Sequence, residues 1–164
     1  DLDGSTQRGE STASVPTAAP MTMLAVVNPD NITANLVAVG VYDTNSGQDN
    51  LFGLQYRGDI ASDPVRARIT NNVTLAASDK TSYSASAWQT GAAVFASTTS
   101  RTVYLNGVAG TTDTTSVTPV SIETLALGVN ITGSGTRAGY FDGKIAMAAV
   151  ADVALPALGN STRW

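Results

Sequence analysis

Short apolar stretches recur along this chain, separated by clusters of Gly, Asn, Asp, Ser or Pro, and most of them alternate with a period of two. That pattern predicts many short strands stacked as a sandwich or barrel. Met21–Asn28 reads as the first long strand. It ends at Asn28-Pro29-Asp30-Asn31, where Pro29 fixes φ and removes a ladder donor. Leu36–Tyr42 alternates Leu36, Ala38 and Gly40 against Val37, Val39 and Val41, and the polar loop Asp43–Asn50 follows. Leu51–Arg57 sets Phe52, Leu54 and Tyr56 against Leu51, Gly53 and Gln55. After the turn-rich Gly58–Pro64, Val65–Thr70 alternates Val65, Ala67 and Ile69 with Arg66, Arg68 and Thr70, which predicts one buried face and one wet face.

Val73–Ala77, Trp88–Ala96, Arg101–Leu105, Ile122–Gly128 and Tyr140–Val150 read as further strands. Asn106-Gly107 supplies the two positive-φ residues of a tight hairpin turn. Lys144–Val150 also contains good helix formers. Periodicity alone does not separate strand from helix there, but Asp142-Gly143 upstream favours a strand, with a helical turn allowed near Ala154–Leu158. Asp1–Pro20 is polar and reads as a tail, except that Leu2-Asp3-Gly4 echoes Phe141-Asp142-Gly143.

Composition narrows the chemistry. A chain of 164 residues suits one domain, taken here as residues 1–164, and its core needs no disulfide. Cysteine and histidine are both absent, so thiolate catalysis, Ser-His triads and zinc sites built on either residue are excluded. Charged residues make up 13%, with a net charge of −4, and the arginines are scattered singly from Arg8 to Arg163. No basic stripe exists to neutralise phosphates, so no nucleic-acid partner is expected. Apolar runs such as Met23–Val27 are too short for a membrane helix, so no membrane partner is expected either. Asp1 in place of an initiator methionine reads as a processed start or as a cut from a longer chain. Abundant Thr, Ser, Ala, Val, Gly and Asn with little Lys or Glu favours strands over helices and suits extracellular or particle-surface proteins.

Several segments, in order, carry a family resemblance. Trp88-Gln-Thr-Gly-Ala-Ala-Val-Phe95 and Arg101-Thr-Val-Tyr-Leu-Asn-Gly-Val108 resemble the hairpin of concanavalin A-like, laminin-G-like domains. Leu125-Ala-Leu-Gly128 is similar to that family's apolar-Gly strand. Tyr140-Phe-Asp-Gly-Lys-Ile145 with Val150-Ala-Asp-Val-Ala-Leu155 resembles its closing strand, and Leu2-Asp-Gly-Ser5 its opening one. The resemblance implies an all-β, two-sheet antiparallel jelly-roll sandwich. Trp88, Tyr104, Asn106, Gly107, Gly128, Phe141, Asp142 and Gly143 would be its fold-defining residues, with Trp88 and Tyr104 in core positions. Two departures stand out: Leu24-Ala-Val-Val27 where relatives often carry a tryptophan, and Gln89-Thr90 where they often carry histidine. The Thr/Ala-rich character and the Pro20-Met-Thr-Met23 lead-in resemble versions found in tailed-phage structural proteins.

The same family includes glycoside hydrolases with paired carboxylates on one strand. Glu10 and Glu123 are the only glutamates, and neither has a carboxylate two or four positions away. Asp59 and Asp63 read as turn residues, so no catalytic residue is expected. The resemblance also implies structural calcium, for which Asp3 and Asp142 are the candidates if the opening and closing strands pair; the alternative is Asp-Gly turn chemistry. Asp43, Asp49 and Asn50 form a second option. Tyr42 and Tyr83 lie beside loops and are the candidate sugar-stacking contacts. The expectation that follows is a non-enzymatic virion module, such as capsid decoration, a head fibre or a tail-fibre component. It would act as a homo-oligomer through contacts with other virion proteins or sister subunits. The alternative is a secreted, extracellular carbohydrate-binding module with glycans as partners.

Overall fold

Alternation of inward apolar and outward polar residues builds two facing sheets. The computed structural model describes residues 1–155, none of them helical. The strands are β1 (Leu2–Asp3), β2 (Gly9–Ser11), β3 (Met21–Pro29), β4 (Asn35–Tyr42), β5 (Asn50–Arg57), β6 (Val65–Asn71) and β7 (Leu75–Lys80). They continue as β8 (Gln89–Ser97), β9 (Ser100–Leu105), β10 (Val108–Ala109), β11 (Thr124–Leu127), β12 (Asn130–Ile131), β13 (Arg137–Ala138) and β14 (Asp142–Ala151). Sheet A runs β1-β14-β3-β8-β9-β10 and sheet B runs β2-β11-β4-β5-β6-β7, while β12 and β13 form a separate hairpin. Every strand pair is antiparallel.

The polar N-terminal segment is part of both sheets. It pairs Leu2 with Gly143 and Asp3 with Asp142 on one sheet, then Glu10 with Ala126 on the other. One short stretch of chain thus covers an edge of each sheet, edges that would otherwise present unpaired backbone groups.

Between the sheets, Met21, Met23, Ala25 and Val27 of β3 face Phe52, Leu54 and Tyr56 of β5 and Val65, Ala67 and Ile69 of β6, all buried. Phe52 meets Phe95 edge-on with ring centres 5.2 Å apart. Tyr56 meets Tyr83 at 5.3 Å and Phe141 at 6.1 Å in the same geometry. The fully buried Arg101 is the charged exception. Its guanidinium donates to Asp113, to Thr98 O at 2.9 Å and to Thr115 O at 2.6 Å, pinning the crossover that carries the chain from β10 to β11.

Three expectations shift by a residue or more. β14 has a bulge between Ile145 and Met147, so Ile145, Ala148 and Val150 pair with the inward Val27, Ala25 and Met23. The added residue breaks the period of two, which is why this strand imitates a helix in sequence. Ala154 and Leu155 are not helical, and the rest of the helical turn allowed near Ala154–Leu158 lies outside the described residues. A second bulge, between Val37 and Val39, brings Val39 and Val41 into the core with Leu36, reversing the phase expected for β4. The strand expected at Val73–Ala77 begins at Leu75, because Asn71 Oδ1 accepts the Thr74 N–H at 2.9 Å and closes a turn that leaves Val73 exposed. On β6, Arg66 and Arg68 lie on the outer face as the alternation predicts, but that face is not wet throughout: Thr70 and the Arg68 Nε are buried. Arg66 forms a two-pronged ion pair with Asp79, both bonds at 2.7 Å.

Gly91 on sheet A permits a close approach by Tyr56 of sheet B. A Cβ there would overlap the Tyr56 hydroxyl, which is itself buried and without a hydrogen-bond partner. Gly91→Ala is expected to cost about 1–3 kcal/mol by overpacking. Tyr56→Phe alone should be near neutral, because the lost hydroxyl is unpaired. In chemical denaturation the double variant should lose less than the sum of the single changes; strict additivity would contradict the contact.

Candidate functional site

Turn chemistry at one end of sheet B assembles a polar cleft of about 620 Å³, lined by Glu10 to Ala13, Thr44, Asn45, Glu123, Thr124 and Arg137. Its floor is the edge formed by β2 and β11. One wall is the loop after β4, and the other is the hairpin of β12 and β13.

The loop is ordered by a single carboxylate. Asp43 Oδ1 accepts the N–H of Asn45 at 3.1 Å and of Ser46 at 3.0 Å, while Oδ2 takes the Ser46 hydroxyl and the Asn50 amide. Burial works to raise the Asp43 carboxyl, but these donors together hold it below its ordinary value. Glu123 Oε1 closes the loop onto β11, accepting from Thr44 N and Thr44 Oγ1, both at 2.7 Å, and from Asn45 Nδ2 at 2.9 Å.

The hairpin is held from two sides. Asp49 Oδ1 accepts the Gly133 N–H at 2.9 Å, and Gly47 N–H donates to Gly133 O at 2.9 Å. Arg137 donates to both oxygens of Glu10, at 3.0 and 2.7 Å, and Arg8 adds a bond to the same carboxylate at 2.6 Å. Beneath the hairpin, Tyr42, Leu51, Ala126, Val129 and Ile131 form a second small core on the outer side of sheet B.

The cleft therefore offers carboxylates, amides, hydroxyls and a guanidinium on a rigid frame, with no aromatic platform. The Arg137 hydrogen bond lowers Glu10 to about 2, so this carboxylate stays charged and accepts hydrogen bonds rather than donating a proton. No spacing rule in the sequence joins Glu10 to Glu123, because only the β2–β11–β4 pairing brings them to one cleft.

The fold buries both of the aromatics expected to contact ligand. Tyr42 is fully buried under the hairpin and donates its hydroxyl to Val129 O at 3.1 Å. Tyr83 is also buried, edge-on to Tyr56, and burial pushes its phenol up to about 12. The tryptophan expected in the core is instead 53% exposed, because the buried Gln89 takes the inward position at the start of β8. Tyr104 is half-buried on the outer side of sheet A. Asn106 and Gly107 adopt φ of 50° and 78°, and Gly128 and Gly143 also have positive φ, at 72° and 130°.

Asp3 and Asp142 do face each other across the β1–β14 pair, with both oxygens of Asp3 and one of Asp142 engaged. Asp3 accepts the N–H groups of Ser5, Thr6 and Gln7 at 2.9–3.2 Å, which hold its carboxyl well below the usual range. Asp142 accepts the Asn31 amide at 2.7 Å. In the loop, both Asp43 oxygens and the Asn50 amide are spent on internal bonds, and Asp49 gives one oxygen to Gly133 N–H. Among the described residues no group of three or more acidic, His or Cys side chains is placed to hold a metal ion. These donors do not fit the six or more oxygens that calcium takes unless the turns are dismantled. Asp59 pairs with Arg57 at 2.6 and 2.7 Å, as a turn residue.

A family model described as the concanavalin A-like lectin/glucanases superfamily matches residues 3–158. No curated protein matches the chain. Among solved structures, the CBM40 of Ruminococcus gnavus IT-sialidase bound to α2,3 sialyllactose is similar at a TM-score of 0.72 and 20% identity, covering 88% of this chain and 82% of that one. The heptameric SAP-like pentraxin of Limulus polyphemus gives 0.72 and 14%, covering 96% and 78%. Domains LG4-5 of the mouse laminin α1 chain give 0.64 and 13%, covering 96% of this chain and 42% of that one. At these identities the likeness is one of fold: a concanavalin A-like, laminin-G-type sandwich.

The Glu10–Arg137 pair makes the hairpin's anchorage depend on pH. The Glu10 carboxyl lies at about 2 in the fold against an ordinary value of 4.5, so its stabilisation is fully present above pH 4.5 and lost as the pH falls toward 2. The pair is solvent-accessible, so the effect is about 0.5–1 kcal/mol. The melting-temperature gap between the wild-type chain and Glu10→Gln should hold above pH 4.5 and close toward pH 2. A gap that persists at the acid end would rule out the linkage.

Proposed function

The chain belongs to the concanavalin A-like lectin/glucanases superfamily, and on that premise we propose that it is a non-enzymatic glycan-binding module. The observation that carries this reading is the polar cleft between β2, β11 and the hairpin. Hydroxyl-rich ligands are bound by planar amides, carboxylates and guanidinium groups held rigidly enough to meet pairs of hydroxyls without a large ordering cost. Glu123, Asn45 and Arg137 are such groups, each fixed by backbone or side-chain partners. The reading is supported by fold neighbours that include a carbohydrate-binding module bound to sialyllactose. On this reading the ligand is bound and released unchanged. Work outside the cell, where glycans are displayed, follows from the same reading.

A second reading, assembly on a particle through a lattice or sister subunits, is favoured by one observation. Val73, in the turn before the edge strand β7 of sheet B, is 89% exposed, and Leu75 at the start of β7 is 53% exposed. An apolar, unpaired edge of this kind suits self-association.

On an array of neutral and sialylated oligosaccharides the chain is expected to bind saturably. Glu123→Gln and Asn45→Ala should each weaken binding about tenfold, the loss of one or two good hydrogen bonds, with the melting temperature nearly unchanged. Absence of saturable binding, or indifference to both changes, would remove the reading. For the second reading, sedimentation should reveal an oligomer that Val73→Asp dissociates; a monomer at every concentration counts against it.

A further inference from the structure

We propose that Trp88, Asn28 and Lys144 form a second saccharide site, on the outer side of sheet A at the end of the molecule opposite the cleft. The proposal rests on the glycan-binding reading and adds a separate place and stoichiometry. Val27 pairs with Gln89, so extending the β3–β8 register by one sets Trp88 opposite Asn28. On the other side of β3, Asn28 pairs with Lys144 of β14. Gln89, Val27 and Ile145 face the interior, so the alternation directs Trp88, Asn28 and Lys144 outward as one row across three strands.

Each member has capacity that the fold does not use. Trp88 leaves 53% of its surface exposed. Asn28 lies between Trp88 and Lys144, and its Oδ1 is buried without a hydrogen-bond partner, so a ligand reaches it only when the side chain rotates outward. The Lys144 ammonium has only the carboxylate of Asp1, 4.0 Å away. A sugar ring matches this set: its C–H face stacks on the exposed indole and the exposed ammonium donates to a ring substituent, while the Asn28 amide, once rotated outward, would bond a hydroxyl between them.

The platform is also rigid. Gln89 Oε1 accepts the Ser84 N–H at 3.1 Å, and its Nε2 donates to Ser84 O at 2.6 Å and Ala87 O at 3.4 Å. Ser86 N–H donates to Pro29 O at 2.7 Å, locking the loop before Trp88 to the end of β3. A loop fixed in this way presents the indole with little ordering left to lose on binding. An aromatic anchor here complements a cleft that has none. Because the two sites lie on opposite faces and at opposite ends, they would engage separate glycan chains.

The test is isothermal titration of the full chain with 3′-sialyllactose and with cellohexaose. Tryptophan emission is followed in a Trp164→Phe background, since the chain has only two tryptophans. The expected result is two saccharides bound per chain, with a blue shift from Trp88. Trp88→Ala should reduce this to one, and Trp88→Phe should keep the second site at about tenfold lower affinity. A stoichiometry that Trp88→Ala leaves unchanged, or a Trp88 emission that saturating saccharide leaves unshifted, with binding lost in Glu123→Gln, overturns this site and leaves the cleft standing. Binding lost only in Trp88→Ala sustains this site and removes the cleft. No binding of either saccharide overturns both.

Discussion

The Tyr56 ring stands edge-on to Tyr83 and Phe141 and carries its hydroxyl over the bare backbone of Gly91, and through this contact the two sheets hold their spacing and register. Each of its neighbours leads to a different part of the molecule. Phe141 immediately precedes Asp142-Gly143, where β1 and β3 both pair with β14. Tyr83 starts the loop that Gln89 folds back on itself and that ends in Trp88. Gly91 lies on β8, whose inward Ala93 and Phe95 complete the core against β5. Burial pushes the Tyr56 phenol well above its usual value, so it stays neutral and the interior carries no charge at this point.

Around that core, surface function is built from turns rather than from strands. Asp3 and Asp43 accept backbone N–H groups from residues two to four positions on, and Asp113 accepts that of Thr115, each setting a loop in one shape. The arrangement that removes calcium-type donors is the one that stiffens the cleft wall, because a carboxylate already satisfied by its own turn is held still but has little left to give. Glu123 and Glu10 differ in drawing their partners from distant segments. They join the loop, the edge strand and the hairpin into one surface.

The placement of aromatics shows how packing and exposure were divided. Tyr42 and Tyr83 flank loops in the chain yet end beneath other elements, one under the hairpin and one against Tyr56. Trp88 opens a buried strand yet stays outside, because the alternating face places Gln89 inward and that amide finds its partners in the preceding loop. Proximity to a loop in sequence says little about exposure when a later segment folds over that loop.

Period-two alternation in β3, β5 and β6, the absent histidine and cysteine, and the Asn106-Gly107 turn were legible from the residues alone, since each is a local property of backbone sterics or side-chain chemistry. So was the two-sheet antiparallel sandwich, through a set of short motifs in order. The bulges in β4 and β14 were not: one added residue reverses the facing pattern, and only cross-strand pairing reveals it. Nor was the cleft, whose two glutamates come together through pairing of β2, β11 and β4. The sequence by itself determined which chemistries are impossible and which faces seek burial, because those follow from residue type and period. Tertiary structure alone decided which polar groups remain free to meet a ligand, because that depends on whether a distant segment arrives to cover them.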